Sequence, residues 1–331
     1  MPPDFRNADE DWLDGKDILL RPTSAKKPRE GRARMLGSHE CNGTVAELFP
    51  NQSAVRLDGG KGTSLCAYRM ETLAFLGDRR ERSPVCVGDR VRVEIGVIVG
   101  RCERRNRLIR PAPNARNPIL HVLAANLDIL VVVASARKPD FSVGIVDRFL
   151  VAASNQKISP ILCINKTDLL EPGSVKPWSH YTAAGVTLAE TSARTGNGVR
   201  GLAAHLRGKT AVFCGYSGVG KTSILRKLLA DERFGRVGEV NAASGMGRHT
   251  TTGAVLLPGP EGSTWIDTPG IMNFNLLDVG REGLLAHFPE LFKASARCAE
   301  NCSHDSEPGC ALRSLPRYDS YRRIRGSLPP K

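Results

Sequence analysis

Hydrophobic positions between about residues 37 and 112 fall into short runs that turn residues separate. Each run is typical of a β-strand, and the five runs are GTVAELF, SAVRLDGG, TSLCAYR, GDRVRVEI and GVIVGRCER. Five short strands within this length predict a small β-barrel of the OB-fold type over 37–112.

The spacing of apolar positions changes after PAPNARNP. The run NLDILVVVAS is apolar and β-branched, as in a strand that is buried on both faces, and VGIVDRFLVAASNQ has helical spacing. Further strands (SPILCIN, TLAETSA, KTAVFCG) alternate with helical segments (GLAAHLRG, KTSILRKLLAD). This alternation predicts an α/β domain with a doubly wound, mostly parallel sheet over 113–275.

The two ends of the chain lack this regularity, so we expect a multidomain protein. Residues 1–36 have no periodicity and many basic residues, which predicts a disordered basic arm. Residues 276–331 are predicted to be helical and loop-like, around a cluster of cysteine and histidine. The longest apolar run, LDILVVVASA, is shorter than the roughly 20 residues of a membrane helix, and the first residues are unlike a signal peptide. We therefore expect a cytoplasmic protein without membrane association, whose cysteines are reduced. We also expect it to be a monomer.

The chain is strongly basic, with a net charge of +13. Such an excess favours a polyanionic partner such as nucleic acid, and a solvated basic surface is the alternative. Because only 5% of the residues are aromatic, we expect the arginines at the end of the barrel to contact phosphates rather than bases. A barrel that only packs on its neighbour is the alternative. These arginines are Arg101, Arg104, Arg105, Arg107 and Arg110.

The segment GYSGVGKTS fits the phosphate-binding pattern G-x-x-x-x-G-K-[ST] between a strand and a helix. Its glycines let backbone N–H groups face phosphate oxygens, and the following helix adds its positive N-terminal end. Lys221 is expected to neutralise the β- and γ-phosphates, and the Thr222 hydroxyl to bind Mg²⁺. The expected nucleotide contacts are Gly215, Tyr216, Ser217, Gly218, Val219, Gly220, Lys221, Thr222 and Ser223.

A second apolar strand ends in WIDTPG. The Asp267 carboxylate is expected to hold Mg²⁺, and the backbone N–H of Gly270 to sense the γ-phosphate.

The segment GRHTTT lies between the two phosphate motifs. One of its three threonines is the candidate Mg²⁺ ligand that orders with the γ-phosphate, and we favour Thr251. Ile271 stands where a water-orienting glutamine is usual. His249 is therefore the candidate that orients the attacking water, with a solvated loop histidine as the alternative, and we expect slow intrinsic hydrolysis.

Two fragments, NKTD and TSA, are expected to bind the base. Asp168 would accept hydrogen bonds from guanine N1–H and the 2-amino group, a pair that adenine lacks. Asn165 would hold the base from its other edge and brace the phosphate loop, Lys166 would lie over the base plane, and the Ala193 N–H would face guanine O6. Thr167 and Ser192 complete this predicted set.

Four of these fragments are those of a GTPase: NKTD, TSA, GYSGVGKTS and DTPG. In this chain the base-binding pair, NKTD and TSA, comes before the two phosphate-binding fragments. The order does not affect the geometry, because such a site is built from loops at the carboxyl ends of parallel strands. Adjacent termini also tolerate permutation. The sequence therefore predicts a circularly permuted P-loop GTPase that binds and hydrolyses GTP with Mg²⁺.

The C-terminal cluster reads Cys298-x3-Cys302-x-His304-x5-Cys310. Three thiolates and an imidazole at this spacing predict a closed, tetrahedral Zn²⁺ site with a structural role; reduced residues without metal are the alternative. Basic residues follow and form a second candidate RNA-contacting surface. They are Arg313, Arg317, Arg322, Arg323 and Arg325.

The chain resembles the RsgA/YjeQ family of small-subunit-dependent GTPases over about 40–325. The resemblance rests on the permuted order and on GYSGVGKTS, GRHTTT, DTPG and EPGCAL. It implies an N-terminal OB-fold, a permuted GTPase domain and a C-terminal helical zinc-binding domain. It further implies binding to the small (30S) ribosomal subunit and its 16S rRNA late in assembly, and a GTPase that the subunit stimulates and that is coupled to release of assembly factors. The x3 spacing of the first two zinc ligands and the short tail after Cys310 depart from the family pattern.

Two other functions stay open at the level of sequence. One is an RNA-binding module that uses GTP as a structural ligand. The other is an ATP-driven RNA remodeller, which Asp168 disfavours.

Overall fold

The structure of the chain, a computed structural model, describes residues 35–60, 62–68, 81–111, 120–231, 253–268, 276 and 279–328. Of the predicted basic arm, only Met35–Leu36 are described, and they form strand β1. No helix within the described ranges is long and apolar enough to cross a membrane.

Five strands close into the predicted barrel. They are β2 Gly43–Phe49, β3 Gln52–Leu57, β4 Thr63–Tyr68, β5 Arg90–Glu94 and β6 Val97–Cys102. All pairs are antiparallel except β4 with β6, and β5 closes the ring by pairing with both β2 and β6. The barrel core consists of Val45, Val55, Cys66, Val85, Val91 and Ile98. The prediction of a five-stranded barrel is confirmed.

Barrel closure also brings two distant cysteines together. Cys41 precedes β2 and Cys102 ends β6, and the two form a disulfide with a Cα–Cα distance of 6.9 Å. The expectation that all scattered cysteines are reduced is therefore wrong for this pair. The other scattered cysteines are free and buried: Cys66, Cys86, Cys163 and Cys214.

A hairpin of β7 Arg107–Pro111 and β8 Leu120–Ala125 follows the barrel. Beside it, the Arg104 guanidinium donates to both carboxylate oxygens of Asp89, at 2.7 and 2.8 Å, and to Glu81 at 2.7 Å. These carboxylates are buried, so they neutralise Arg104 inside the protein.

The neighbouring arginines are also either buried or paired with a carboxylate. The Arg101 side chain is only 3% exposed, Arg105 pairs with Asp128 at 2.9 Å, and Arg107 pairs with a buried carboxylate. The prediction of phosphate contacts is therefore wrong for Arg101 and Arg104, because buried side chains cannot reach a phosphate. The side chain of Arg110 lies outside the described residues.

A second group of strands forms the predicted α/β sheet. They are β9 Ile129–Ser135, β10 Ser159–Asn165, β11 Thr187–Glu190, β12 Thr210–Cys214, β13 Val255–Pro258 and β14 Thr264–Asp267. Their order in the sheet is β13-β14-β12-β9-β10-β11. All pairs are parallel except β13 with β14. Every residue of β9 is buried, as expected for a central parallel strand.

Six α-helices accompany the strands in the described ranges. They are α1 Val143–Asn155, α2 His180–Ala183, α3 Val199–His205, α4 Lys221–Leu229, α5 Pro289–Ser295 and α6 Tyr318–Ser327. Short 3₁₀ turns occupy Ser38–Glu40, Thr167–Leu169, Pro260–Gly262 and Leu284–His287.

The barrel joins the α/β sheet at its edge. Strand β2 pairs antiparallel with β13 through Glu47 and Val255, so barrel and α/β strands belong to one twelve-stranded sheet.

A buried arginine joins the C-terminal helices to α1. Arg317 is 2% exposed, and its Nε donates to Asp147 on α1 at 2.7 Å while Nη1 donates to Glu290 on α5 at 3.0 Å. The guanidinium lies 5.1 Å from the ring centre of Tyr181 and 4.5 Å from that of Phe288. The prediction that Arg317 contacts RNA is wrong, because its charge is enclosed and paired.

Candidate nucleotide-binding site and metal centre

Four loops meet at one edge of the parallel sheet. NKTD begins at the last residue of β10, TSA follows β11, the glycine-rich loop follows β12, and DTPG begins at the last residue of β14. Because these strands are parallel, their carboxyl ends lie together. The described residues of the four predicted fragments therefore lie at one edge of the sheet.

The glycine-rich loop approaches its neighbours so closely that two positions exclude any side chain. A Cβ on Gly215 (φ 153°) would lie 2.1 Å from the Val133 carbonyl oxygen on β9. A Cβ on Gly220 (φ 96°) would lie 2.3 Å from the side-chain nitrogen of Asn165. The loop is therefore held between the central strand and the NKTD segment.

Lys221 is the first residue of α4 and is only 8% exposed. Its ammonium donates to the carbonyl oxygens of Gly215 and Tyr216, at 2.9 and 3.2 Å. Burial lowers its pKa. The N-terminus of α4, with its partial positive charge, opens onto the same loop.

The Asp168 carboxylate is fixed through both oxygens. The Ser192 hydroxyl donates to Oδ1 at 2.6 Å, and Arg194 Nε donates to Oδ2 at 2.7 Å. The hydrogen bond from Ser192, followed by that from Arg194, lowers the pKa of Asp168. The group is therefore an oriented, ionised acceptor.

Asn165 links the two halves of the site. Its side-chain nitrogen donates to the Val219 carbonyl at 2.9 Å, and its side-chain oxygen accepts from the Ala193 N–H at 3.0 Å. Lys166 Nζ adds a bond to the Gly218 carbonyl at 2.6 Å. Asn165 thus connects the glycine-rich loop to the TSA segment, and the Ala193 N–H, which we expected to face guanine, donates to Asn165.

One cavity of about 580 Å³ is lined by both halves of the site. Its volume lies within the range of small-molecule sites. The lining residues are Asn165, Lys166, Asp168, Leu169, Ala193, Arg194, Gly220, Ser223, Arg226 and Lys227.

Asp267 ends β14 beside the phosphate loop. Burial raises its pKa to about 6, although the charge of Lys221 opposes the shift. The next residue, Thr268, is buried and donates to the Phe213 carbonyl at 2.8 Å. A partly buried carboxylate whose ionisation is disfavoured gains from a cationic ligand.

The predicted residues of the γ-phosphate side lie outside the described residues. They are His249, Thr250, Thr251, Thr252, Gly270 and Ile271. Their roles stay predictions.

The Cys/His cluster forms a second site. The ligand atoms of Cys298, Cys302, His304 and Cys310 all lie within 4.8 Å of one another and could hold a metal ion. Cys310 Sγ lies 3.9 Å from Cys298 Sγ and 3.7 Å from His304 Nδ1. Burial, with the neighbouring thiols, raises the pKa of Cys310 to about 11, so a metal ion is needed to hold it as thiolate at neutral pH.

Glu307 closes the loop between the metal ligands. Its carboxylate accepts backbone N–H bonds from Ser303 at 2.7 Å, and from Asp305 and Ser306 at 3.2 Å. These bonds orient the segment that carries His304.

A sequence model of the RsgA GTPase family matches residues 101–277 of this chain. The chain belongs to the RsgA GTPase family. Two of its relatives carry the name "Small ribosomal subunit biogenesis GTPase RsgA". The one from Bacteroides fragilis is 35% identical over 260 residues, which are 73% of this chain and 83% of the relative. The one from Pseudomonas fluorescens is 40% identical over 248 residues, or 71% of each chain.

Two solved structures have a similar fold. YjeQ from Thermotoga maritima matches with a TM-score of 0.64 and 27% identity, over 87% of this chain and 98% of that one. YloQ, described as a circularly permuted GTPase, matches with a TM-score of 0.61 and 26% identity, over 90% and 100%. The predicted permuted GTPase fold is confirmed, and this RsgA-family chain is a GTP-hydrolysing enzyme.

Sequence reasoning missed four residues that line the cavity of this RsgA-family site, namely Leu169, Arg194, Arg226 and Lys227. Arg194 follows TSA directly and pairs with Asp168. A basic residue after TSA is a weak signal by itself. Only the folded loops place it against a carboxylate 26 positions earlier.

Proposed function

We propose that this GTPase acts in biogenesis of the small (30S) ribosomal subunit, as the names of its relatives suggest. One observation carries the proposal: Asp168 on the base side and Gly220 on the phosphate side line the same cavity. A single guanine nucleotide would occupy it, with its base at one end and its phosphates at the other.

Guanine would be read by Asp168. Its two oxygens match the N1–H and 2-amino donors of guanine, and ATP would leave this carboxylate unpaired. Ser192 orients the carboxylate, and the Lys166 stem would cover the base. Asn165 would keep the base and phosphate segments at a fixed separation through its bond to Val219.

The phosphates would bind at the N-terminus of α4. Backbone N–H groups of 215–220 and the helix end supply partial positive charge. In this structure Lys221 donates to two backbone carbonyl oxygens. Hydrogen bonds to phosphate oxygens would be stronger than these, because they are charge-assisted.

Magnesium fits the carboxylate and hydroxyl oxygens on this side of the site. Thr222 and Asp267 would hold the ion, with Thr251 as a third ligand. When bound, Mg²⁺ offsets negative charge on the β- and γ-phosphates. The Gly270 N–H would sense the γ-phosphate, and His249 would orient the attacking water.

Zinc fits the Cys/His cluster best. A tetrahedral ion with ~2.3 Å bonds to sulfur requires sulfurs ~3.8 Å apart, and the Cys298–Cys310 separation is 3.9 Å. All four positions would be occupied by protein, so the ion would be structural.

The wider setting follows from the same proposal. The enzyme would act as a cytoplasmic monomer that binds 16S rRNA, and the subunit would stimulate its slow hydrolysis and couple it to the release of assembly factors. Its domains would be the arm 1–36, the barrel 37–112, the GTPase domain 113–275 and the zinc-binding domain and basic tail 276–331.

Phosphate release from GTP, measured with and without purified small subunits, tests the proposal. We expect slow turnover alone, faster turnover with subunits, and loss of both in Lys221→Ala. Lys209→Ala, an exposed lysine outside the cavity, is the matched control. Full turnover in Lys221→Ala would overturn the proposal. RNA binding with no turnover under any condition would favour a structural role for GTP instead.

A further inference from the structure

Helix α5 presents an unusual outer face. Leu291 and Ala294 are buried on its inner side. Phe292 faces outward and is 60% exposed. Lys293, the next residue, and Arg297, two residues beyond the end of the helix, are also exposed. We call Phe292, Lys293 and Arg297 the α5 patch.

The cations of the α5 patch are uncompensated within the part of the chain that the structure describes. No carboxylate there forms an ion pair with Lys293 or Arg297, while Glu290 on the same helix is taken by Arg317. Arg322, elsewhere in this module, is paired with Asp305 at 3.0 Å. Two exposed cations without a carboxylate partner favour an anionic partner.

The α5 patch is also held rigidly. The Cys298 N–H, one residue beyond Arg297, donates to the Ser295 carbonyl at 2.9 Å, and Cys298 belongs to the metal cluster. The buried Phe288–Arg317 contact fixes the other end of the helix. A fixed aromatic ring loses little conformational entropy when a flat group stacks on it.

We propose that the α5 patch binds unpaired RNA, with a nucleobase stacked on Phe292 and adjacent phosphates on Lys293 and Arg297. An exposed ring followed in the chain by two cations offers one stacking contact and two phosphate contacts, and base–aromatic stacking is the usual way in which proteins hold single-stranded RNA. A protein partner would need an interface of roughly 800 Å² on each side, far more than one exposed ring offers. This inference rests on the proposed function, because it names the form of RNA that the C-terminal module recognises.

The test uses the full-length, metal-loaded protein and a single-stranded oligoribonucleotide that contains 2-aminopurine, whose fluorescence changes when it stacks. The wild type and Phe292→Tyr should both give the change. Phe292→Ala and Phe292→Leu should lose it and bind about tenfold more weakly. Ile95→Ala removes an even more exposed apolar side chain in the barrel and should behave as wild type.

The salt dependence of RNA binding tests the roles of Lys293 and Arg297. In Lys293→Ala/Arg297→Ala, the slope of log K against log salt should fall by about 1.4, at ~0.7 for each single-strand phosphate contact. Arg200→Ala/Lys209→Ala removes two exposed charges elsewhere and should leave the fluorescence change intact.

Two outcomes would overturn the inference. One is full stacking signal in Phe292→Leu, which would mean that the ring is not used. The other is unchanged RNA binding in Phe292→Ala together with weaker subunit binding, which would identify a protein partner. Metal content confirms folding of each variant. Subunit-stimulated hydrolysis by the wild type, measured in parallel, separates failure of this inference from failure of the proposed function.

Discussion

At the scale of single residues, the site is defined by three side chains in different electrostatic states. Asp168 is ionised because hydrogen bonds from Ser192 and Arg194 lower its pKa. Asp267 resists ionisation because burial raises its pKa to about 6. Lys221 is a buried cation whose pKa burial lowers. Each state suits the role that we propose: base reading, metal ligation and phosphate binding.

Asp168→Asn should change which base the enzyme accepts. An amide offers one donor and one acceptor, which match the 2-carbonyl and N1–H of xanthine rather than the two donors of guanine. We expect GDP affinity to fall at least ~100-fold and xanthosine diphosphate to bind better, as measured by competition titration. Asp140→Asn, an exposed carboxylate, is the control. Unchanged GDP affinity would contradict the role of Asp168.

The raised pKa of Asp267 predicts that folding stability and the effect of Mg²⁺ on GDP binding both depend on pH. Its folded-state pKa lies above the ordinary value of 3.8, so the neutral acid is favoured below about pH 6 and the ligating carboxylate above it. Without Mg²⁺, stability should rise as the pH falls from about 6 towards 4, because only the folded state takes up the proton. The tightening of GDP binding by Mg²⁺ should disappear over the same range. Titrations between pH 7.5 and 4 check this, and Asp267→Asn should show neither trend.

At the scale of elements, most strands were predictable and most long-range pairings were not. The run SPILCIN coincides with β10, Ser159–Asn165, because a buried parallel strand is continuously apolar. The four site motifs were equally visible, since each needs specific residue types at fixed spacing. In contrast, nothing in the sequence indicated that Arg317 pairs with Asp147, which lies 170 positions away. An arginine in a basic segment looks like surface until tertiary packing encloses it.

Arg317 should act as the anchor between the C-terminal module and α1. Arg317→Ala would leave the buried carboxylate of Asp147 and the half-buried carboxylate of Glu290 without their cation, which should lower the free energy of unfolding by about 3–5 kcal/mol. Combining Arg317→Met with Asp147→Asn should cost less than the sum of the single changes. Urea denaturation measures each variant, and the exposed Arg323→Ala should stay within about 0.5 kcal/mol. Additive effects would contradict a coupled pair.

At the scale of the whole molecule, the nucleotide site and the metal cluster are separate structures. The cavity is built from residues between Asn165 and Lys227, and the metal ligands lie between Cys298 and Cys310. Within the described residues, Arg317 is the buried charge that links α1 to this C-terminal module. Damage at one site should therefore leave the other largely intact.

Metal removal tests this independence. A zinc chelator, or Cys302→Ser, should expose the 298–310 segment to proteases because that segment has little core of its own. With Mg²⁺ restored, GDP affinity should stay within about twofold of the untreated enzyme, as measured by equilibrium titration. Loss of GDP binding after chelation would show that the two sites are coupled.

The position of β9 has a consequence for how the strands can be reordered along the chain. β9 lies between β10, which carries the base-reading residues, and β12, which carries the phosphate loop. The span between the two half-sites is therefore about two inter-strand spacings, or ~9.6 Å, whichever way the loops connect the strands. New termini opened in a surface loop should leave the fit to GTP intact. A single extra strand inserted beside β9 would separate the half-sites too far for one nucleotide.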